Sequence, residues 1–308
     1  MSNTVVRTNM LALNSHRNLG MVSTQQARAS ARLSSGFRIN SAADDAAGLG
    51  ISENMRAQIR GLDQASRNAQ DGISLIQTAE GGMATINEMV IRIRELTVQA
   101  ANDINTTELQ GELGPNESNR ARLQNEINHL ISEIGRTAST LQFNGMTLLD
   151  GTFDDGEHIW LQIGANSQQG IEVSIPNIFN DIAVELNDNI FLTNIVLGDN
   201  VPNETTEGAV ALGSGSAITQ LISQVDEVLA IATAARGALG AIQNRLEFTI
   251  QNLDVASENL SAANSRIRDA DMAKEMMRLT QTNVLQQAAT AMLAQGNQAP
   301  QSILQLLG

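Results

Sequence analysis

The sequence predicts a mainly α-helical protein: both chain ends build a long antiparallel coiled-coil or helical-bundle rod, and the middle forms a small β-hairpin region. Three observations predict this class. Apolar residues recur in steps of three and four over residues 51–104 and 218–270. Aromatic residues are only 2% of the chain, so aliphatic side chains on helix seams must form the core. Alternation with period two is confined to residues 143–175.

The N-terminal segment, residues 1–43, holds five Arg and no acidic residue. Its apolar residues form a thin stripe at helical spacing, which predicts an amphipathic helix from about Asn3 to Leu33. The stripe consists of Val6, Met10, Leu13, Ala27, Ala31 and Leu33. Such a stripe cannot fold alone, so this helix needs a partner.

The next helix begins near Ser41. Ser41 lies three residues before Asp44, as in a capping box, and Asp44 and Asp45 would lie in the first turn, where the helix dipole favours them. A paired-carboxylate catalytic site is the alternative for these two acids, but no acid or base partner is evident. The helix that follows carries a long apolar stripe and ends before Gly114-Pro115. The stripe consists of Ile51, Met55, Ile59, Leu62, Ala65, Ala69, Ile73, Ile76, Ala79, Met83, Ile86, Val90, Ile93, Thr97, Ala100 and Ile104.

The middle of the chain changes from helix to strand. A shorter helix is predicted by Leu123, Ile127, Leu130, Ile134 and Leu141. Asn144-Gly145 and Asp150-Gly151 are hairpin-turn signals, and the alternating residues of two strands are Ile159, Leu161, Ile163 and then Ile171, Val173, Ile175. Residues 177–216 are irregular and acidic, and are predicted to be a short variable surface segment.

Residues 218–270 predict the longest seam, a rod about 80 Å long at 1.5 Å per residue. The predicted stripe is Ile218, Ile222, Val225, Leu229, Ala232, Ala235, Leu239, Ile242, Leu246, Thr249, Leu253, Ala256, Leu260, Ala263, Ile267 and Ala270. Two steps of three meet at Ala232–Ala235, which predicts a local stammer.

The last 30 residues carry no charge. Their predicted apolar face is Met277, Val284, Leu285, Ala288, Ala291 and Met292, followed after Pro300 by Ile303, Leu304 and Leu307. A tail of this kind is poorly suited to open solvent. It therefore inserts into a partner or lines the inside of an assembly.

Charge and composition exclude several classes of function. The net charge is −14, and 13 acidic residues but no Lys or Arg lie between Arg136 and Arg236, which argues against nucleic acid as a partner. The absence of Cys excludes disulfides and thiolate metal sites and leaves the compartment open. No run approaches the roughly 18 apolar residues of a membrane span, and the first 19 residues lack the apolar block of a secretory signal.

Nothing in the sequence predicts an enzyme, a cofactor or a metal site. His16, His129 and His158 are far apart and form no HExxH motif, so scattered surface histidines are the favoured interpretation. Lys274 is the only lysine and follows no Gly-rich loop, which excludes a P-loop.

Several long motifs, in order, resemble bacterial flagellin. They are RLSSGFRINSAADDAAGLGISENMRAQIRGLDQASRNAQDGISLIQTAEGGM, FNGMTLLDG, LQIGANSQQGIEVSI, NLDVASENLSAANSRIRDADMAKEM and QAPQSILQLLG. The resemblance covers residues 1–175 and 217–308. Because residues 177–216 are short, it implies a form in which the large outer domains are absent or vestigial.

The resemblance implies a structural subunit that polymerises into the extracellular flagellar filament for swimming motility and leaves through the flagellar type III channel. It implies three parts: a terminal coiled-coil domain (residues 1–43 with 264–308), a helical-bundle domain (44–176 with 217–263, including the β region 143–175) and the variable segment. Its implied partners are its own copies, an export chaperone bound by the tail, and filament-cap and hook-junction proteins. The nearest alternative is the hook–filament junction protein, which shares terminal coiled-coil helices.

The resemblance also implies recognition by the animal Toll-like flagellin receptor. Flagellins that trigger this receptor present an Arg and a Leu that match Arg92 and Leu96, and a Glu on the facing helix that aligns with Glu126. This chain departs from that pattern at Ile91, where Gln is usual. The alternative is that Leu96, which lies off the predicted seam, only packs against the third helix.

Overall fold

The computed structural model describes residues 9–102, 119–153, 158–175 and 215–307. Its elements in chain order are α1 (Met10–Ser35), α2 (Ala46–Ala100), α3 (Asn119–Thr140), β1 (Gln142–Phe143), β2 (Met146–Thr147), β3 (Ile159–Gln162), β4 (Gly170–Val173), α4 (Gly215–Arg268) and α5 (Met272–Leu307). The predicted fold class is confirmed: long helices come from both chain ends and small antiparallel strand pairs from the middle. Gly114-Pro115 and residues 177–214 of the predicted variable segment lie outside the described residues.

The chain forms two compact units, Met1–Arg60 with Val255–Gly308 and Gly61–Asp254. Helices α2 and α4 each contribute residues to both. The first is called the terminal unit below, and the second the central unit.

In the terminal unit, α1 and α5 pack against each other in antiparallel orientation. Asn9 Nδ2 donates a hydrogen bond of 2.7 Å to the carbonyl oxygen of Gly296, and Gln26 Nε2 donates one of 2.7 Å to Asn283 Oδ1. The inward residues of both helices follow steps of three and four; they are Ala12, Ser15, Leu19, Val22, Gln26, Ala29 and Leu33 on α1, and Glu275, Leu279, Thr282, Gln286, Ala289, Leu293 and Gly296 on α5. This is the heptad seam of a two-helix coiled coil.

The predicted apolar stripe of α1 was mostly wrong about which residues face α5. Met10, Leu13, Ala27 and Ala31 are exposed, and Leu33 is the only predicted stripe residue of the described part of α1 that lies inward; Val6 lies outside the described residues. The physical reason is that the seam mixes a few large apolar residues with small and polar ones, which a search for large apolar side chains passes over.

The start of α2 differs from the prediction at Ser41. The N-cap is Asp45: its Oδ1 accepts a 2.9 Å hydrogen bond from the backbone N–H of Gly48, and α2 begins at the next residue. Asp44 Oδ2 accepts from the backbone N–H of Ser41 at 3.1 Å in the turn before the helix. Neither acid therefore lies within the first turn of the helix.

In the central unit, α2, α3 and α4 enclose a continuous aliphatic core. The predicted α2 stripe is confirmed in this unit, since Ile76, Ala79, Met83, Ile86, Val90, Ile93, Thr97 and Ala100 are all buried. At the ends of the predicted stripe, Ile51 is exposed and Ile104 lies outside the described residues. Ile127 and Ile134 of α3 are fully buried against this stripe. Ion pairs between Arg94 and Asp226 (2.5 Å) and between Arg236 and Glu80 (3.3 Å) show that α2 and α4 are antiparallel.

The register of α4 corrects the predicted stammer. The buried residues are Ile218, Leu221, Val225, Val228, Ala232, Ala235, Leu239 and Leu246, whereas Ile222 and Leu229 are half-buried. These positions keep alternating steps of three and four, so the seam continues without a slip. Leu221/Ile222 and Val228/Leu229 are pairs of adjacent apolar residues, so the sequence allows either member of each pair to lie on the seam. Packing in the core buries the first residue of each pair.

The β region consists of two short antiparallel pairs. β1 and β2 are joined by Asn144 and Gly145, both with positive φ (50° and 80°), as a type I′ hairpin turn requires. In the second pair Ile159 lies opposite Val173 and Leu161 opposite Ile171, with Ile171 and Val173 buried. The predicted turn at Asn144 and the predicted alternation are both confirmed. The predicted hairpin turn at Asp150-Gly151 is wrong, because β2 and β3, on either side of it, belong to different strand pairs.

Candidate functional site

The terminal helix pair exposes a set of large apolar side chains on the faces turned away from its seam. We call them the outward apolar residues; they are Met10, Leu11, Leu13 and Met21 on α1, and Met272, Met276, Met277, Val284, Leu285 and Met292 on α5. Their exposed fractions run from 43% for Leu285 to 67% for Met277. Single exposed apolar residues are ordinary, but ten on one helix pair form the kind of surface that a protein partner covers.

All five of the predicted tail residues with described side chains lie on this exposed face; they are Met277, Val284, Leu285, Ala288 and Met292. They do not take part in the seam with α1. Ile303, Leu304 and Leu307 belong to the helical backbone of α5, but their side chains lie outside the described residues.

The sequence prediction missed four of the outward apolar residues: Leu11, Met21, Met272 and Met276. These four residues are large and apolar, which marks them as candidates for a binding surface. Their exposure could be inferred only once the seam was known, because the partner helix determines which face of a helix is covered.

A second candidate surface lies where α2 faces α3. Arg92 Nη2 and Nε donate hydrogen bonds of 2.8 and 3.1 Å to Glu126 Oε1, and Nη1 donates one of 2.9 Å to Glu95 Oε2. The hydrogen bond to Glu126, and then that to Glu95, raises the pKa of the Arg92 guanidinium. The Arg92 and Glu126 side chains are 48% and 45% exposed, so this ion pair remains open to solvent.

Leu96 is placed differently from these two residues. It is 1% exposed and belongs to the aliphatic core of the central unit, whereas Ile91, close to it in sequence, is 41% exposed. The chain therefore brings Arg92 and Glu126 together at the surface and holds Leu96 beneath it.

Chemistry-bearing groups outside these surfaces are scattered. His16, His129 and His158 are exposed and lie on separate elements or loops. Within the described ranges, His, Asp and Glu side chains form no group of three that could hold a metal ion.

Among the helices that the structure describes, none is sufficiently long and apolar to span a bilayer.

Known proteins match the chain over nearly its whole length. The family described as "Bacterial flagellin N-terminal helical region" matches residues 6–154, and "Bacterial flagellin C-terminal helical region" matches residues 222–307. A flagellin from Halalkalibacterium halodurans is 47% identical over 303 residues, covering 98% of this chain and 99% of its own. A flagellin from Bacillus subtilis is 43% identical over 310 residues, covering 97% of this chain and 98% of its own.

The fold itself also has a solved counterpart. A protein from Vibrio parahaemolyticus, assigned as flagellar hook-associated, matches with a TM-score of 0.54 and 12% identity over 73% of this chain and all of its own. At that identity the match supports the fold alone. The two family matches and the two sequence relatives carry the assignment: the chain belongs to the bacterial flagellin family, whose members are structural proteins of the flagellar filament and not enzymes.

Proposed function

We propose that this chain polymerises with its own copies into the flagellar filament through the outward apolar residues of the terminal helix pair, and that the polymer serves swimming motility. The observation that carries the proposal is the exposure of these ten side chains on a helix pair whose own seam is already filled. Burying one large apolar side chain is worth about 1.5–3 kcal/mol, so a repeated contact between copies would remove a large cost of exposure.

The distribution of charge along the chain also supports packing through the chain ends. The tail after Arg278 has no charged residue, while the middle of the chain is acidic. An uncharged apolar surface can be buried inside a protein assembly at little cost, whereas an acidic segment is more stable in contact with water. We infer that residues 1–43 and 264–308 form the inner part of the polymer and that residues 177–216 face outward.

Seeded growth tests the assembly surface. Purified monomers are added to short filament seeds, and growth is followed by electron microscopy. Wild type and the conservative variant Val284→Leu should extend the seeds, whereas Val284→Ser combined with Met292→Ser should slow growth by about tenfold or more, because two apolar contacts are lost. A chain lacking residues 279–308 should stay monomeric.

Two outcomes would change the proposal. Undiminished growth of the double Ser variant would remove the outward apolar residues from the interface. If wild-type chains stay monomeric under every condition that promotes polymerisation, a capping or hook–filament junction role becomes the better assignment.

We also propose export through the flagellar type III channel without a cleaved signal, with α5 as the segment that an export chaperone covers beforehand. The exposed apolar residues of α5 favour a bound chaperone while the chain is still inside the cell. After export, filament-cap and hook-junction proteins would bind the same surface. The test is secretion by strains with and without the export apparatus, with mass spectrometry of the N-terminal peptide. A secreted chain that lacks its first residues beyond Met1, or export that persists without the apparatus, contradicts the proposal.

We further propose that Arg92 and Glu126 bind the animal Toll-like flagellin receptor, with Leu96 holding α2 in place beneath them. An exposed Arg and Glu offer charge-assisted hydrogen bonds to a polar partner. In a cell reporter assay Arg92→Ala should weaken the signal, while Arg136→Ala, which removes a helical Arg that is even more exposed, should not. Unchanged signal in both Arg92→Ala and Leu96→Ala rules the site out.

A further inference from the structure

Most of the exposed methionines among the described residues lie on the terminal helix pair, and Met146 of the central unit, at 36% exposed, is the exception. Met83 and Met89 of the central unit are 0% and 9% exposed. The terminal helix pair instead carries six methionines that are 46–67% exposed: Met10, Met21, Met272, Met276, Met277 and Met292. These six are more than half of the 11 methionines in the chain.

No other side chain competes strongly for a mild oxidant. The chain has no Cys and no Tyr, and its single Trp is Trp160, which lies on β3 in the central unit. A thioether sulfur that is accessible to solvent reacts with peroxides, whereas a sulfur packed in a core is shielded. Oxidation of the native chain is therefore expected mainly at the six methionines of the terminal helix pair, with Met146 as the remaining exposed methionine of the described residues.

We propose that the exposed methionines of the terminal helix pair are a reversible oxidation site, and that their conversion to sulfoxides by hydrogen peroxide stops filament growth. The proposal rests on the proposed function, since all six are outward apolar residues. It adds a modification, its reagent class and its consequence.

The chemistry balances without a further reactant. The sulfur lone pair attacks one peroxide oxygen, the S–O bond forms and the O–O bond breaks. The departing hydroxide takes the remaining proton and leaves as water, so the sulfur is oxidised by two electrons and the peroxide is reduced. The product is a polar, chiral sulfoxide in place of a flexible apolar group, which disrupts interfaces rich in Met.

The placement of three of these residues makes the effect local. Met272, Met276 and Met277 lie in the first turns of α5, with Met272 and Met276 one turn apart on the same side of the helix. Their exposed fractions are 46%, 50% and 67%, while Glu275, between them in sequence, is 6% exposed on the seam side. Oxygenation at these sulfurs therefore changes the outward face and leaves the seam with α1 intact.

The test treats full-length monomers with hydrogen peroxide, maps the added oxygen atoms by peptide mass spectrometry and measures seeded growth. We expect oxygen at the six sites before Met83 and Met89, and growth slower by about tenfold or more. The growth rate of a variant with Leu at all six positions should be the same with and without the treatment. A control with Met146→Leu, an exposed methionine on β2 in the central unit, should remain as sensitive as wild type.

A second measurement does not depend on the sixfold variant assembling. Oxidised wild-type monomers are incubated with methionine sulfoxide reductases A and B, which together reduce both epimers, and growth should return. Growth of fully oxidised wild type at the untreated rate overturns the inference and leaves the proposed function standing, as does failure to recover after complete reduction. If untreated wild-type monomers do not extend seeds, the proposed assembly surface fails, and this inference fails with it.

Discussion

Arg92 of α2 and Glu126 of α3 are joined by two hydrogen bonds to one carboxylate oxygen, at 2.8 and 3.1 Å, although both side chains are nearly half exposed. Solvent screens such a pair, so its contribution to stability is small. We expect Arg92→Ala to lower the free energy of unfolding only slightly. Urea unfolding followed by circular dichroism measures this, and a larger loss would show that the pair supports the packing of α2 on α3.

Ile91 and Ile93 allow a matched test of the core. Ile93 is 1% exposed within the aliphatic core, and Ile91 is 41% exposed on the same helix. Ile93→Ala should lower the free energy of unfolding by about 2–5 kcal/mol, because it leaves a cavity. Ile91→Ala should change it by less than about 1 kcal/mol. Equal losses in the two variants, measured by urea unfolding, would contradict the register of α2.

Two adjacent glycines of α2 differ in the space around them. A Cβ added at Gly81 meets nothing within 4 Å, whereas one at Gly82 would lie 2.5 Å from Leu141 Cδ2 and 3.1 Å from Leu149 Cδ1. Gly81→Ala should stabilise the chain by about 0.5–1 kcal/mol, since Ala is favoured within helices. Gly82→Ala should be less stable than Gly81→Ala by about 1–3 kcal/mol, because two leucines must move.

The outcome is read from the midpoints of thermal or urea unfolding of both variants beside wild type. If Gly82→Ala stabilises as much as Gly81→Ala, the close approach of Leu141 and Leu149 to α2 is wrong.

Asp45 is the N-cap residue of α2. Its carboxylate accepts a hydrogen bond from the Gly48 N–H, which has no partner within the helix. Asp45→Ala should cost about 0.5–2 kcal/mol, and Asp45→Asn, which keeps an accepting oxygen, should cost much less. Ser41→Ala is the control for the capping box that the sequence suggested. A larger loss at Ser41 than at Asp45, measured by urea unfolding, would restore Ser41 as the cap.

Asp44 gives the terminal unit a dependence on acid pH. Hydrogen bonds from the Ser41 side chain and from backbone N–H groups, with the charge of Arg32 at 3.6 Å, lower the pKa of its carboxyl. A lowered pKa means that the native chain holds the ionised form more strongly than the unfolded chain does. The resulting stabilisation is complete above the ordinary pKa of an aspartate, and it is lost as the pH falls through the lowered native value.

Unfolding midpoints between neutral and acid pH should therefore fall less for Asp44→Asn than for wild type. Asp71→Asn, on α2 in the central unit, serves as the control. Parallel curves for wild type and Asp44→Asn would show that this carboxyl contributes nothing to the pH dependence.

The kinds of element and their order follow from the amino-acid pattern. Strict periodicity over α2 and α4 specified long helices, and Asn144-Gly145 specified a tight hairpin, because only such residues adopt positive φ at low cost. The α2 stripe was also determined, since one face alone carries large aliphatic residues such as Ile76, Ile86 and Ile93. The motifs that resemble flagellin pointed to the family.

The choice between neighbouring faces of the same helix depends instead on packing in the folded chain. In α4 the pairs Leu221/Ile222 and Val228/Leu229 satisfy two registers equally, and packing against α2 and α3 selects the first residue of each pair. In α1 and α5 the seam includes small and polar residues such as Ser15 and Thr282, while large residues such as Met277 lie outside it. A helical period fixes the spacing of a stripe but not its direction, and the direction is set by the surface that each helix meets.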